Sequence, residues 1–490
     1  MSLNNIVKRL QNIMRNDAGV NGNAQRIEQM TWMLFLKVYD AKEQQWEFLN
    51  PDYVSIIPRH CRWQNWAADH KDGKAMTGDS LLDFVNTRLF PALKGIEVDE
   101  DTPINKIIVR DAFQDCSNYM KDGILLRQVI NVIDEIDFTE YAERHAFNEI
   151  YEQILKDLQS AGQSGEFYTP RAVTDFMVRM VNPRLGEQIA DFACGTGGFL
   201  TSALNHLLPQ VKTVKDKQEY CGCVYGIEKK SLPYLLCATN LLLHDIDQPR
   251  VMHGNSLEKN VKDYTEKDRF DIILMNPPYG GNEKDAVKQN FPVALRSGET
   301  ADLFVNVIMY RLRKNGRAAI ILPDGFLFGE DNSKAAIKEK LLGEFNLHTV
   351  IRLPHSVFAP YTSITTNLLF FDNTGPTKET WFYRLDMPQG YKHFSKTRPI
   401  LTEHFAPAFE WSRNRREITQ DDIPKAKKYS IQEIRERKYN LDLCGFPHEE
   451  EEILEPAELI ERYYQKRSVI NAEIDSLLAG IKEKLDIPQG

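Results

Sequence analysis

A short motif near the middle of the chain has the residue types needed to bind a flat amino group. Residues 272–275, which follow Asp271, are apolar without a helical period and predict a buried strand. Two prolines follow and end the strand, because proline cannot donate to a sheet ladder. Asn276 and Tyr279 are therefore expected at the strand's carboxyl end, where open α/β sheets bind ligands. An amide, a carbonyl fixed by proline and an aromatic ring suit a flat group held by its NH2 and its face.

A glycine-rich turn lies about eighty residues earlier. Residues 188–200 predict a strand, a turn with Gly195, Gly197 and Gly198, and a helix. The glycines let the backbone approach a ligand, and the helix start offers unpaired N–H groups. The third glycine comes too soon for the dinucleotide fingerprint, so no pyrophosphate is implied. Asp191 opens the turn, where its carboxylate suits an ammonium rather than a phosphate.

Two polar residues end the next predicted strands. Glu228 closes the strand of residues 224–228, where an acid in a doubly wound fold accepts hydrogen bonds from ribose hydroxyls. The alternative is a simple charge at a strand end, and we favour the ribose role. Asn255 follows a strand near residue 251 and either contacts an adenine amino group or only forms an Asx turn.

A turn before the glycine motif is a candidate pocket wall. Residues 160–165 are small and polar and predict a linker or mobile loop. Thr169 is predicted to cap a helix that has Pro170 at its first position and continues to Met180. The capping turn at residues 166–170 is expected to be exposed beside the glycine turn.

These motifs need a parallel sheet to bring them together. Strands predicted near 189, 224, 251, 271, 317, 348 and 365, with helices between most of them, give a seven-stranded doubly wound α/β sheet. The last two have no room for a helix between them and are predicted to be antiparallel. Their loop carries Phe358 and Tyr361 near the same end as Tyr279. Residues 1–150 are expected to be helical, and residues 280–300 to form a mobile loop beside the site.

Composition limits the function classes. The chain has 490 residues, a net charge of −9 and seven scattered cysteines. These features predict reduced thiols in a cytoplasmic protein, no metal site and no membrane-spanning segment. Phosphate binding needs Lys and Arg. A protein of this charge that handles DNA must use a local basic face or a partner.

The last eighty residues have two distinct patterns. Residues 412–438 are basic and indicate either a solvated helix surface or a contact with DNA backbone or a partner. Beyond residue 453 an imperfect heptad seam predicts a helix that packs on another helix. Its apolar positions are Ile460, Tyr463, Ile470, Ile474, Leu477 and Ile481.

The order of these motifs resembles a known family. Residues 166–170, then Asp191 to Phe199, then Asn-Pro-Pro-Tyr at 276–279 resemble the γ group of DNA N6-adenine methyltransferases, which use S-adenosylmethionine (AdoMet). The length, helical amino-terminal region and tail resemble the methylation (M) subunit of type I restriction–modification systems. The resemblance implies a Rossmann-like methyltransferase domain at 161–435, a helical domain at 1–160 and a helical partner-binding tail at 436–490.

The resemblance also implies residue roles. Catalysis on the target base falls to Asn276, Pro277, Pro278 and Tyr279. A second stacking face for the target base is expected from Phe358 or Tyr361. AdoMet binding is assigned to Glu166, Phe167, Tyr168, Thr169, Asp191, Ala193, Gly195, Thr196, Gly197, Gly198, Glu228 and Asn255.

The implied activity is methylation of N6 of a flipped adenine in a specific DNA sequence, which protects host DNA and is also needed for restriction. The implied partners are double-stranded DNA, a specificity subunit, a second copy of the chain and a nuclease–translocase subunit. Two alternatives stay open. Protein-glutamine methyltransferases share Asn-Pro-Pro-Tyr, so the acceptor is either DNA or a protein or RNA group. A non-catalytic assembly subunit would bind AdoMet only, but Asn276 and Tyr279, which it would not need, are both present.

Overall fold

The computed structural model describes residues 4–68, 75–139, 151, 169–359, 362, 364–395, 397–420 and 422–445, together with positions of a helix between 460 and 478. The chain divides into a large compact unit, residues 1–445, and a terminal unit, residues 446–490.

The amino-terminal part of the large unit is helical, as its apolar spacing predicts. Its helices are α1 (Asn4–Arg15), α2 (Asn23–Leu49), α3 (Trp63–Trp66), α4 (Gly78–Asp83), α5 (Phe90–Lys94), α6 (Ile104–Gln114) and α7 (Gly123–Asp134). A π-helical turn, Phe84–Leu89, joins α4 to α5. Helix α2 is apolar on nearly every side over its central turns and is buried there. Trp63 and Trp66 are also buried and belong to the core of this helical part.

The rest of the large unit combines a sheet with flanking helices. Its strands are β1 (Ile189–Asp191), β2 (Val224–Glu228), β3 (Val251–His253), β4 (Phe270–Met275), β5 (Leu312–Pro323), β6 (Asn346–Arg352), β7 (Thr366–Asp372), β8 (Glu379–Arg384), β9 (Ile418–Gln420) and β10 (Ile423–Ser430). Its helices are α8 (Arg171–Val181), α9 (Gly198–Leu207), α10 (Val214–Cys221), α11 (Ser231–Leu243), α12 (Asp285–Lys288), α13 (Thr300–Arg311), α14 (Asp324–Phe328), α15 (Asn332–Glu344), α16 (Ala406–Arg413) and α17 (Ile431–Glu436).

The strand order places two motifs side by side. The order is β3-β2-β1-β4-β5-β7-β6-β8-β10-β9, and β1 pairs in parallel with both β2 and β4. The chain therefore leaves β1 in one direction across the sheet and later returns to add β4 on its other side. Crevices for ligands form at such switch points. The glycine turn after β1 and the Asn-Pro-Pro-Tyr motif after β4 meet at this crevice.

Helix α11 joins the helical layer to the sheet. Leu235 and Leu242 belong to the core of the helical part, whereas Tyr234 and Cys237 belong to the core of the sheet. A helix that is apolar on both faces can be buried between two layers. Its first residue, Ser231, donates a hydrogen bond to Asp115, which follows α6. The helix that follows Glu228 is thus held by both layers.

The predicted α/β sheet is confirmed, but its number of strands is corrected. All seven predicted strands form, and β6 and β7 are antiparallel as predicted. The described sheet has ten strands rather than seven, because β8, β9 and β10 extend it beyond β6. The segment of residues 412–438 is not one solvated helix surface, because it contains β9, β10 and α17. The compact unit also continues to Gly445, past the predicted boundary at residue 435.

The terminal unit contains a helix with exposed apolar side chains. The exposed large residues described there are Ile460, Tyr463, Tyr464, Ile470, Ile474 and Leu478. Leu477 and Ile481 of the predicted seam lie outside the described residues, as does the boundary at residue 160. Within the described parts of both units, no helix is long and apolar enough to cross a membrane. The same residues contain no cluster of three or more His, Cys, Asp or Glu side chains placed to hold a metal ion.

Candidate active site

A cavity of about 550 Å³ opens where β1, β2 and β4 end, within the size range of small-molecule sites. It brings together residues from several separated segments of the chain. The predicted site residues that line it are Thr169, Asp191, Ala193, Gly195, Thr196, Gly198, Glu228, Asn255, Asn276, Pro277, Pro278 and Tyr279. The parallel pairing of β1 with β4 is what places the two motifs on one cavity.

The glycine turn after β1 requires glycine at two positions. Gly195 and Gly197 have φ values of +53° and +84°, a region that other residues rarely adopt. A Cβ at Gly197 would also lie 2.9 Å from Sγ of Cys237 in α11. Gly197 does not line the cavity but caps α9, so its contribution is to the shape of the turn.

Glu228 at the end of β2 organises the cavity floor. Its Oε2 accepts a hydrogen bond from the backbone N–H of Gly195 at 2.8 Å, and its Oε1 accepts one from Lys230 at 2.8 Å. Burial raises the pKa of this carboxyl, although the backbone donors oppose the shift. Each oxygen keeps a second lone pair for a ligand. The carboxylate therefore ties the glycine turn to the end of β2 while lining the cavity.

Asp191 is a buried carboxyl with few compensating partners. Its Oδ1 accepts a hydrogen bond from the N–H of Ala193 at 3.1 Å, and the residue is 2% exposed. Desolvation raises the pKa of Asp191 to about 8, with the nearby charge of Glu228 adding to the shift. A cationic ligand would favour the ionised form, so this carboxyl suits an ammonium or a sulfonium.

Asn255 adopts the Asx turn that the sequence left as one of two alternatives. Its Oδ1 accepts a hydrogen bond from the N–H of Leu257 at 3.1 Å. The neighbouring Ser256 donates from Oγ to the carbonyl of Phe192 at 2.6 Å and ties this turn to the end of β1. Because Asn255 also lines the cavity, the turn does not exclude contact with a ligand.

The Asn276 amide is held at both ends. Its Nδ2 donates a hydrogen bond to Oγ1 of Thr169 at 2.8 Å. Its Oδ1 accepts a hydrogen bond from the hydroxyl of Tyr279. Tyr279 is 7% exposed, and burial raises the pKa of its hydroxyl well above the usual range, so the group stays a donor. The amide plane is thus fixed by two hydroxyl groups.

Thr169 does not cap a helix as predicted. Helix α8 begins at Arg171, and its N-cap residue is Pro170, with no side-chain cap. The hydroxyl of Thr169 accepts instead from Asn276, more than a hundred residues away in sequence. The local sequence pattern predicted the helix correctly but not the hydrogen-bond partner of Thr169, because that contact depends on the loop after β4.

One predicted stacking residue lies away from the cavity, and four other predicted site residues are not among those described. Glu166, Phe167, Tyr168 and Tyr361 fall outside the described residues. Phe358 is 2% exposed and packs in the hydrophobic core of the sheet, and it does not line the cavity. In the conformation described, its ring is therefore not available to a ligand in this cavity.

The cavity also has lining residues that the sequence did not single out. Among them are Lys229, Lys230, Pro233, Gly281, Glu283, Thr300 and Phe304. Lys229 and Glu283 form an ion pair at 3.4 Å, which links the segments that follow β2 and β4. The predicted loop of residues 280–300 contains α12, and its ends at Gly280 and Thr300 line the cavity. Of these residues, Lys229 could have been found from the sequence, because it directly follows the strand-end acid Glu228.

Comparison with known families covers most of the chain. Residues 142–453 match the family described as N-6 DNA Methylase. Residues 3–133 match the HsdM N-terminal domain. The matched segments correspond to the sheet with its cavity and to the helical layer.

Individual relatives agree with both matches. The methylase subunit of the Escherichia coli type I restriction enzyme EcoEI is 48% identical over 475 residues, covering 96% of each chain. A modification subunit assigned to a type I restriction enzyme of Vibrio vulnificus YJ016 superposes with a TM-score of 0.78 and 40% identity, covering 91% of this chain and 96% of that one. A chain from a structural study of type I restriction–modification complex assembly superposes with a TM-score of 0.80 and 34% identity, covering 100% and 99%.

Proposed function

The chain belongs to the N-6 DNA methylase family and to the methylase subunits of type I restriction enzymes, and on this premise we propose what it does. It transfers a methyl group from AdoMet to N6 of an adenine flipped out of a specific DNA sequence, as the methylation subunit of a type I complex. The observation that carries this proposal is the cavity, which joins Asp191 and Glu228 to Asn276 and Tyr279.

The cavity residues fit AdoMet. When bound, the cofactor supplies an electrophilic methyl group. Glu228 retains acceptor capacity for ribose hydroxyls beyond its two backbone donors. Asp191 is a buried carboxyl with a raised pKa that a cation would ionise. The open glycine turn at Gly195 admits a close approach of the ligand to the backbone, since a Cβ there would meet no protein atom within 4 Å.

Asn276 and Pro277 act on the target amino group. Adenine N6 is a poor nucleophile because its lone pair is delocalised into the ring. Oδ1 of Asn276 and the carbonyl of Pro277 each accept one N6 hydrogen, which localises the lone pair. Pro277 and Pro278 fix this carbonyl by restricting the backbone. Alignment of N6 with the methyl group then accounts for much of the rate.

Tyr279 holds the face of the base. The adenine has to leave the duplex to reach the cavity. The phenol ring stacks on it once the hydroxyl has released Oδ1 of Asn276 to the N6 hydrogen. Phe358, which is buried in the described conformation, would supply a second stacking face only after its loop rearranges, and Tyr361 is proposed for the same role.

Partners supply the DNA specificity and part of the DNA affinity. The net charge of −9 opposes binding to phosphates. Two of the basic residues in 412–438 are already paired, Lys425 with Asp386 and Lys428 with Glu379. The exposed apolar stripe of the terminal helix fits a helix of the specificity subunit. A second copy of the chain and a nuclease–translocase subunit complete the complex.

Replacement of the amide tests the chemistry. Asn276→Ala leaves the glycine turn and Glu228 untouched, so AdoMet should bind with a dissociation constant within about threefold of the original. Methylation of adenine in DNA should fall by about 100-fold or more, since a transition-state contact of about 3 kcal/mol is lost. The measurement is methyl transfer at saturating AdoMet beside AdoMet binding by calorimetry. Undiminished transfer in the variant would refute this role of Asn276.

A further inference from the structure

We propose that Thr169 is a positioning residue for catalysis, which acts by holding the Asn276 amide; this rests on the proposed function. The family resemblance assigns Thr169 to the cofactor. The structure gives its hydroxyl a different partner, because Nδ2 of Asn276 donates to Oγ1 of Thr169 at 2.8 Å. The hydroxyl makes no capping contact with α8, which begins at Arg171.

The orientation of this amide matters for the reaction. The oxygen and nitrogen of an Asn side chain are nearly the same size, but only the oxygen can accept a hydrogen from an amino group. A flipped or tilted Asn276 would present N–H groups to N6–H groups and would not localise the N6 lone pair. Productive geometry therefore requires Nδ2 to point away from the base.

Two hydroxyls fix the amide, one at its nitrogen and one at the oxygen that has to receive the target amino group. The Tyr279 hydroxyl occupies Oδ1, the atom that the target amino group needs. When the base replaces that hydroxyl, the bond from Nδ2 to Thr169 is the one that continues to hold the amide plane. Donation from Nδ2 also polarises the amide and makes Oδ1 a better acceptor.

The position of Thr169 links this amide to the cofactor side of the cavity. Thr169 lines the same cavity as Asp191, Gly195 and Asn276. It precedes α8, whose Arg171 donates from Nη1 to the carbonyl of Gly198 in the glycine turn at 2.7 Å. The segment that carries Thr169 is thus anchored to the turn that we assign to AdoMet. The segment of residues 169–171 therefore contacts both the Asn276 amide and the glycine turn, and helps to position the amide and the methyl donor together.

The test compares Thr169→Val, which removes the hydroxyl at nearly constant volume, with Thr169→Ser, which keeps it. The protein is purified from its host with the chains that co-purify, and single-turnover methyl transfer to DNA is measured at saturating AdoMet. The valine variant should transfer methyl about tenfold more slowly, as expected for one lost hydrogen bond in a catalytic geometry. Its AdoMet dissociation constant should stay within about threefold, and the serine variant should recover most of the rate.

Matched controls separate this proposal from its alternatives. Thr419→Val, at an exposed position in β9, should change neither rate nor AdoMet binding. Weaker AdoMet binding with an unchanged saturated rate in Thr169→Val would overturn the proposal and leave Thr169 as a cofactor ligand. An unchanged rate and unchanged binding would overturn it as well. If Thr169→Val does not fold, Thr169→Ala replaces it, with thermal unfolding as the check. Absence of DNA methylation by the unaltered protein would instead contradict the proposed function.

Discussion

The hydroxyl of Tyr279 donates a hydrogen bond to Oδ1 of Asn276, the oxygen assigned to the amino group of the target base. The described conformation therefore has its catalytic acceptor engaged by the residue that is to stack on that base. Base binding has to exchange one donor for another at the same oxygen. Oδ1 has a hydrogen bond before and after this exchange, whereas the buried Tyr279 hydroxyl has to leave its acceptor.

The exchange predicts different effects for two substitutions of Tyr279. Tyr279→Phe keeps the ring and removes only the competing donor, so methylation at saturating DNA should stay within about threefold. Tyr279→Ala removes the stacking surface, whose contribution is about 1–3 kcal/mol per base, and should raise the KM for DNA about tenfold or more. Steady-state kinetics with a fluorescent base analogue at the target position would measure both effects. Equal losses in the two variants would show that the hydroxyl, and not the ring, is what matters.

The pKa of Asp191 predicts a stability effect with a definite sign. In the unfolded chain an Asp carboxyl has a pKa of about 4, whereas in the folded protein burial raises the pKa of Asp191 to about 8. Between these values the folded state keeps a proton that the unfolded state has lost. Ligand-free protein should therefore lose stability as pH rises from about 4 to about 8.

Asp191→Asn isolates this contribution, because the amide oxygen can still accept from Ala193 and does not titrate in this range. The difference in unfolding temperature, variant minus original, should increase between pH 5 and pH 8.5 in the absence of ligand. The same variant should bind AdoMet more weakly at pH 8.5, since it lacks the carboxylate proposed for the cationic end. A difference in unfolding temperature that stays constant with pH would argue against a buried protonated Asp191.

The glycine turn allows a test of shape alone. Gly197→Ala forces a side chain into a φ of +84° and places Cβ 2.9 Å from Sγ of Cys237. We expect a loss of about 1–3 kcal/mol in unfolding free energy and about tenfold weaker AdoMet binding. Gly343→Ala in α15 is the matched control, because its Cβ would meet nothing within 4 Å. It should be neutral or stabilise by up to about 1 kcal/mol. AdoMet binding that is equal in the two variants would remove the turn from the site.

Much of this architecture follows from local pattern. The apolar runs at β1, β4 and β5 are buried on both faces, so their sequences are almost uninterrupted in hydrophobicity and easy to assign. Strands β8 and β10 do not stand out in the sequence, because the aromatic run of residues 381–383 is short and flanked by charged residues, and the Lys-rich run of residues 425–428 resembles a charged surface. These strands pair at the outer part of the sheet, where side chains need not be apolar.

The site was predictable in its motifs but not in its contacts. The carboxyl-end rule is sufficient to place Asn276 near Glu228. The hydrogen bond between Thr169 and Asn276 joins residues that are distant in sequence, and no local signal specifies it. Burial of Phe358 in the sheet core likewise depends on how the loop after β6 folds back. Aromatic character alone did not distinguish a ligand-stacking ring from a core residue.

The terminal helix provides a test of the partner assignment. Ile470 and Ile474 lie one turn apart and are 54% and 48% exposed in that helix. Replacing both with Glu should abolish co-purification of the specificity subunit, because charges on a helix-packing stripe are not tolerated. AdoMet binding should be unchanged. Ser468→Glu, on another face of the same helix, should retain the subunit. Retention of the subunit by the double variant would place the interface elsewhere.

The destination of a labelled methyl group tests the proposed function most directly. The protein as purified from its host, with its co-purifying chains, would be incubated with labelled AdoMet and separate pools of DNA, RNA and protein. We expect the label to be recovered as N6-methyladenine in DNA and to be lost when a co-purifying DNA-binding subunit is removed. Label in protein glutamine or in RNA, or AdoMet bound with no transfer to any pool, would contradict it.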